Sequence, residues 1–440
     1  MRSVHEVIHF ILQQEDALQL LSLQLDHTYI WPILRFKLVL ALQKKLGLIT
    51  TPHDALKKDT RVERYKKAIR LDSKVAKYHK QHDTVIITHD RRVKVNGEER
   101  DIYTYPLQER YKDALWINRQ EYNNLGTKNT GLIVLEESVL DKYKKAINAR
   151  ISQYRPLVEL EQLSKKIYEV FEVEINLNKM LEEEWKHFVK REYRFEKLFK
   201  RVRPKQVILV VNYDKYAIIC ACHKLGIKVI ELQHGIIDSY HLGYHYPNGL
   251  PKQCFVDELW LFAPYWSMSA KLPKVPIQYT GYSYFHEQAR RVENIQKREQ
   301  VIFLSQGTCG EELVKQVVEL ANQYPDLHII YKLHPGEFAK WKERYPLLTH
   351  SYSNLEVISN TRDLYEMMKE SKYCVGAYST AIYEALALGC TGILVDVEGV
   401  REHMQGLIEN ELVYVTKQLA EDFEEIQRFQ VSHTLENIYF

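Results

Sequence analysis

Residues 207–235 read VILVVNYDKYAIICACHKLGIKVIELQHG. Two nearly continuous apolar, β-branched runs, VILVV and KVIEL, flank a stretch of helical length. A strand that is apolar on both sides has to be covered on both faces, and the segment between the runs is long enough to cross over as a helix. The three pieces together predict a βαβ unit of a parallel sheet. The same alternation continues towards the C-terminus through ELWLF (258–262), VIFLS (301–305), LHIIYKL (327–333), YCVGA (373–377) and GILVD (392–396). On the N-terminal side, TVIIT (84–88) and GLIVL (131–135) read as further strands. RRVKV (91–95) and EERDIYTYP (98–106) flank Asn96-Gly97, a turn pair that favours a hairpin. No period of 20–50 residues recurs, which excludes a solenoid.

The first ~80 residues carry helical periodicity, as does the charged stretch 138–200. In WPILRFKLVLALQKKLG (31–47), Pro32 fits the first turn of a helix. Trp31 and Phe36 there are open to two readings, contact with a membrane surface or burial against the core, and burial is the more ordinary one. A boundary falls near Gly281, within KLPKVPIQYTGYSYF (271–285). The expected organisation is α/β: a first domain over 1–280 with a helical insertion near 138–200, a second over 281–425, and a tail over 426–440.

Composition narrows the class. Of 440 residues, 45% are hydrophobic and 27% charged, the balance of a folded globular chain rather than a disordered one. No apolar run approaches the ~18 residues of a membrane span, and the N-terminus is too interrupted by polar residues to be a secretory signal. The six cysteines are scattered, which argues for a reducing, cytoplasmic setting over a disulfide scaffold. Cys220 and Cys222 read as core. Residues 1–200 hold 37 Lys and Arg against 29 Asp and Glu, a net +8, and the remainder carries −5. The basic half is either a solvated surface or a face for an anionic partner such as a phospholipid surface. Interleaved acidic residues and the lack of a recognition motif argue against nucleic acid.

Ligands of open α/β sheets bind beyond the carboxyl ends of the strands. KVIELQ is followed there by His234-Gly235 and then Asp238. An imidazole at that lip suits removal of a proton from a hydroxyl. VIFLS is followed by Gln306, Gly307, Thr308 and Gly310, a turn whose N–H groups can hold phosphate. LHIIY leads into Lys332-Leu333-His334-Pro335-Gly336-Glu337, where Lys332 and His334 alternate and can share a face. After YCVGA, Ser379 or Thr380 caps a helix whose free N–H groups favour an anion, and Glu384 lies one turn in, placed to accept ribose hydroxyls. Asp396 and Glu398 after GILVD read as structural more readily than as ligands. No metal motif, Walker loop or Ser-His-Asp order is present.

The succession ELQHGI, QYTGYSYF, VIFLSQGT, YKLHPGE and AYSTAIYEALALG resembles bacterial surface-polysaccharide transferases of the GT-B fold over residues 205–400. These include capsule-polysaccharide glycosyltransferases, the CDP-glycerol glycerophosphotransferases of teichoic-acid synthesis, and the sialyl- and Kdo-type transferases with a His-Pro motif. The resemblance implies two Rossmann-like domains facing a cleft, with acceptor in the first and nucleotide donor in the second. It implies His234 as base with Asp238 as the alternative, His334, Ser379 and Thr380 on donor phosphate, Glu384 on ribose, and Gly281 as hinge. Gln306, Thr308 and Lys332 complete the expected donor site. Gln233 stands where the glycerophosphotransferases usually have an aromatic residue.

The expected activity is metal-independent transfer of a sugar from a nucleotide-activated donor to a growing capsule or related glycan, free or lipid-linked. No cofactor beyond the donor is implied. The expected place is the cytoplasm, peripheral to the inner face of the membrane. CDP-polyol phosphate transfer, nucleotide-sugar epimerisation and a non-catalytic scaffold are the alternatives.

Overall fold

The computed structural model describes residues 3–48, 61–89, 91–95, 98–118, 131–134 and 144–431. Two parallel sheets organise the chain. The first contains β1 (Thr84–Ile87), β2 (Leu115–Asn118), β3 (Leu132–Ile133), β4 (Gln206–Val210), β5 (Lys228–Leu232), β6 (Glu258–Leu261) and β7 (Ile277–Tyr279), in the spatial order β7-β6-β5-β4-β1-β2-β3. The second contains β8 (Arg298–Leu304), β9 (His328–Lys332), β10 (Leu355–Ile358), β11 (Ser371–Gly376), β12 (Thr391–Val395) and β13 (Val413–Thr416), in the order β10-β9-β8-β11-β12-β13. Every pairing within both sheets is parallel. This is the two-unit Rossmann-like arrangement of the GT-B fold. The antiparallel hairpin of 92–95 with 98–101 is present; its Asn96-Gly97 turn lies outside the described residues, as do Leu135, 138–143 and most of the tail.

The apolar runs become central strands because helices cover them. Val207, Ile208, Leu209 and Val210 of β4 are all fully buried. The crossover to β5 is α5, Tyr216–Lys224, after the helical layer made by α1 (Val4–Ala17), α2 (Trp31–Lys45), α3 (Val158–Phe171) and α4 (Leu177–Val202). Helix α4 starts where Asn176 caps Lys179 N at 2.9 Å and ends at Arg203 in left-handed conformation, just before Pro204. Its buried Leu181, Trp185, Phe188, Phe195, Phe199 and Val202 form one stripe at helical spacing. All six cysteines are free thiols, and Cys222 is core as expected. Among the described residues no helix is long and apolar enough to cross a membrane.

Trp31 takes the buried reading. It is fully enclosed, and its Nε1 donates to Glu15 Oε1 at 2.8 Å. Glu15 also accepts from Arg35 Nη2 at 3.0 Å and from Arg35 Nε, and Arg35 Nη1 donates to the carbonyl of Leu242. The guanidinium lies 4.1 Å from the centre of the Tyr246 ring. One buried ion pair therefore ties α1 and α2 to residues 242–246, in the long connection after β5. Phe36 stacks on His241 and packs at a tilt against Tyr213 in the same region.

The two units are in contact. Trp266 packs on Tyr383 with ring centres 5.0 Å apart, Val4 N donates to Glu398 Oε1 at 2.8 Å, and Tyr105 donates to Glu287. Between β7 and β8, Gly281 has φ +70, and its N–H donates to Phe262 O at 3.1 Å. That backbone conformation suits glycine where the chain leaves the first sheet.

Replacing Arg35 with Met strands the Glu15 carboxylate in the interior. The expected loss is about 3–5 kcal/mol, read as a shift of the urea unfolding curve to lower denaturant. Adding Glu15→Leu should recover most of it, because an apolar pair of similar volume is often as stable as a buried ion pair.

Candidate active site

Strand order reverses between β1 and β4 in the first sheet and between β8 and β11 in the second. These are the crevices where open α/β sheets bind ligands.

In the first unit, β1 leads to His89 and Arg91. Arg91 Nη1 donates to Tyr103 Oη at 2.7 Å, and Tyr103 Oη donates to the carbonyl of His234 at 2.6 Å. Arg91 as a whole is exposed. Strand β4 leads to Val211 with φ +66, a strained conformation for a β-branched residue. Its bend turns the chain into Asn212 and Tyr213. Strand β5 leads to Gln233, whose amide accepts from Phe262 N at 2.8 Å and donates to Gly235 O at 2.9 Å. The residue that departs from the glycerophosphotransferase pattern thus ties the His-Gly turn to the end of β6.

His234 sits half-buried between two phenols. Its Nε2 lies 3.2 Å from Tyr213 Oη, and its Nδ1 lies 3.1 Å from Tyr244 Oη. Burial, with His241, His89, Lys215 and Arg91 nearby, pushes its pKa well below 6.5, so the ring is neutral at pH 7. A neutral imidazole is in the protonation state that a base requires.

In the second unit, the turns after β8 and β11 are joined to each other. Gln306 Oε1 accepts from Tyr378 N at 3.3 Å, and Tyr378 Oη donates to Thr308 Oγ1 at 3.0 Å. Ser379 caps α8 (Thr380–Ala387), accepting from Ala381 N at 3.2 Å. His334 Nδ1 accepts from Gly336 N at 3.1 Å, so its proton is on Nε2, and the ring is exposed. Burial, then Arg91 and Lys332, lower its pKa against the pull of Glu337. His334 is therefore a neutral hydrogen-bond donor. Glu337 fixes it by accepting from His334 N at 2.8 Å, and Tyr345 donates to the same carboxyl. A Cβ on Gly310 would collide with Tyr345, which explains the glycine there.

Lys332 departs from the expectation that it shares a ligand with His334. Its ammonium donates to the carbonyls of Leu333, at 3.0 Å, and Ser359, and lies over Phe338. Glu384 is buried, and its Oε2 accepts from Tyr365 Oη. Burial raises its pKa, opposed by Tyr365 and Arg91.

The two crevices face each other. A Cβ on Gly235 would lie 3.9 Å from Thr380 Cγ2, placing the His234-Gly235 turn against the start of α8. The charge of Arg91 helps lower the pKa of His234 and His334 and opposes the rise at Glu384. The Gly235–Thr380 approach puts the His234-Gly235 turn opposite the Ser379-capped start of α8, and Gln306 and Thr308 are tied to Tyr378 just ahead of that cap. Among the described residues no group of three or more His, Cys, Asp or Glu side chains is placed to hold a metal ion.

Asp238 lies instead at the contact between units. Its Oδ1 accepts from Tyr240 N at 2.7 Å, and its Oδ2 is 3.2 Å from Nδ1 of His403, at the end of α9 (Val400–His403). Arg91 and Tyr213 escape the sequence reading. They follow TVIIT and VILVV as His234 follows KVIEL, and the strand-end logic would have found them. Tyr103, Tyr244 and Tyr365 carry no local signal, because tyrosine is abundant along the whole chain.

No family model matches the sequence, and no curated protein matches it. Solved structures with a similar chain course include the UDP-GlcNAc 2-epimerase of Methanocaldococcus jannaschii, 11% identical over 81% of this chain and 95% of that one, with TM-score 0.47. MurG of Acinetobacter baumannii is 10% identical over 80% and 92%, with TM-score 0.47. The spinosyn rhamnosyltransferase SpnG in complex with spinosyn aglycone is 12% identical over 78% and 90%, with TM-score 0.45.

Burial opposes a charge on His403, but the hydrogen bond and charge of Asp238, with Glu402 adding, outweigh it and raise the pKa above 6.5. A raised folded-state value means the Asp238–His403 contact contributes fully below the unfolded value and is lost as pH rises through the folded one. Thermal stability should therefore decline as pH rises above about 6.5, and His403→Gln should flatten that part of the pH profile.

Proposed function

We propose that the chain is a nucleotide-sugar-dependent glycosyltransferase that extends a surface polysaccharide, a capsule or related glycan, at the cytoplasmic face of the membrane. The observation that carries this reading is the His234-Gly235 turn standing against the N-terminus of α8. A neutral base and an anion-favouring helix start on opposite walls of one cleft are what transfer from a nucleotide diphosphate to a hydroxyl requires.

In this reading the acceptor hydroxyl displaces Tyr213 from His234 Nε2 and gives that nitrogen its proton. The acceptor oxygen bonds to the anomeric carbon as the bond from that carbon to the diphosphate oxygen breaks. Negative charge gathers on the departing diphosphate. It is offset by the N–H groups at the start of α8, the hydroxyls of Ser379 and Thr380, the Nε2–H of His334 and the guanidinium of Arg91. Glu384 offers its remaining carboxyl oxygen to the ribose. Asp238 is the weaker candidate base because both its oxygens are engaged. The acceptor is a glycan, free or lipid-linked. Trp31 cannot anchor the protein to lipid, so any hold on an anionic membrane rests on the basic first 200 residues.

A thermal-shift screen with CMP, CDP, UDP, GDP and ADP tests the donor side. Saturation at 100 times Kd adds about 2.7 kcal/mol of stability, and EDTA should leave the shift unchanged. A response to CDP with phosphate in the product would replace sugar transfer by polyol-phosphate transfer. His234→Ala should lower transfer by roughly 100-fold or more and leave nucleotide affinity nearly intact; equal loss of both would remove His234 as base. Arg91→Ala should weaken a nucleoside diphosphate more than a monophosphate, measured by calorimetry.

A further inference from the structure

Glu231 is a carboxylic acid in the middle of a core strand. It is fully buried in β5, where its neighbours Ile230 and Leu232 are apolar core. Its presence there needs a reason, because an apolar side chain would cost nothing. Asn212 meets it with two donors, backbone N to Oε1 at 2.9 Å and Nδ2 to Oε2 at 2.8 Å. Tyr244 Oη donates to Oε1 at 2.7 Å, and the same phenol lies 3.1 Å from His234 Nδ1. Tyr244 is itself buried.

A phenol has one proton. When that proton goes to the Glu231 carboxylate, the Tyr244 oxygen can only accept from the imidazole, and Nδ1 has to carry the imidazole proton. Nε2 then carries the lone pair, which accepts from Tyr213 Oη until a substrate hydroxyl takes that place. We infer that Glu231 and Tyr244 are positioning residues that hold His234 in its Nδ1–H tautomer, leaving Nε2 to take the acceptor's proton. This deepens the reading of His234 as base and rests on it. The relay also supports the step itself, since the imidazolium that forms faces a phenol backed by a carboxylate.

The chain of hydrogen bonds can run the other way. A protonated Glu231 donates to Tyr244, Tyr244 donates to Nδ1, and the imidazole proton moves to Nε2, where it blocks the base. Burial pushes the Glu231 carboxyl up to about 7, against the hydrogen bonds of Tyr244 and Asn212 and the charge of Lys215. Lys215, Asp214 and Tyr213 come from the turn after β4, and Tyr244 and His234 from the connection after β5. Lys215 is paired with Asp214 at 2.7 Å, which moderates its pull. The active polarity therefore holds above neutrality and is lost as pH falls through it.

The test is nitrogen-15 NMR of histidine-labelled full-length protein at pH 7.5, with transfer kinetics on the same samples. The wild type should show His234 as the Nδ1–H tautomer, and Tyr244→Phe should shift it towards Nε2–H. Transfer kcat should fall by roughly 10- to 100-fold in Tyr244→Phe, with the donor KM within about twofold. Glu231→Leu, which removes the acceptor for Tyr244, serves the same comparison if the phenylalanine variant does not fold, and its activity should be low and without the acid limb of the wild type. An unchanged tautomer in the variants, or unchanged kcat, overturns the inference. The tautomer readout needs no substrate, so it stands even if His234→Ala keeps its activity; that outcome would remove the base assignment alone.

Discussion

The Glu15–Arg35 pair is the fastening on which the first unit's half of the cleft depends. The connection from 233 to 257 carries His234, Asp238, His241 and Tyr244, yet its regular structure amounts to one short turn. Loops of that length in compact units stay ordered only when something packs and bonds them. Arg35 supplies this by binding Glu15 with one edge, the Leu242 carbonyl with another and the Tyr246 ring with its face. Three partners from two segments converge on one guanidinium, carried by a third, that water does not reach. Desolvating such a pair is expensive, so its contribution lies more in fixing one arrangement than in net stability. The helical layer ahead of the first strand is thereby part of the site's scaffold.

Local charge at the cleft is kept low. Both strand-end histidines have lowered pKa values, and Lys332 is spent on carbonyls. Arg91 is an exposed cation of the first unit, held by Tyr103. A fixed array of dipoles and hydrogen-bond donors around one cation offsets charge that appears during reaction without holding an anion tightly beforehand, the pattern that favours a transition state over a ground state.

Most central strands of both sheets were legible because burial on two faces leaves an unbroken apolar run; the interior β2, whose LWIN run is buried throughout, was passed over. Of the strands at the margins only β3, within GLIVL, was read. β7, β10 and β13 contain Gln278, Glu356 and Tyr414 on partly open faces, so their runs are broken and resemble loop. Strand-end logic marked His234, His334 and the cap at Ser379, because topology alone puts those positions at a crevice. It could not show that Lys332 would turn onto backbone carbonyls or that Asp238 would meet His403, since both depend on neighbours distant in sequence. Glu231 was concealed within KVIEL, where the strand pattern absorbs a single acid without breaking.

Costs of folding concentrate around that acid. Val211 holds a positive φ at an expense of about 1–3 kcal/mol. Glu231 adds a carboxyl group without solvent, a penalty of several kcal/mol before its hydrogen bonds are counted. Both lie at the carboxyl ends of adjacent strands, and both act on the same few atoms. The bend at Val211 presents Asn212 to Glu231 and Tyr213 to His234, and Glu231 orients the phenol on the other side of the ring. A leucine at 231 and a relaxed turn at 211 would give a more stable sheet edge with an imidazole free to rotate and exchange tautomers. Local choices that oppose stability yet agree with one another mark a position held for chemistry rather than for folding.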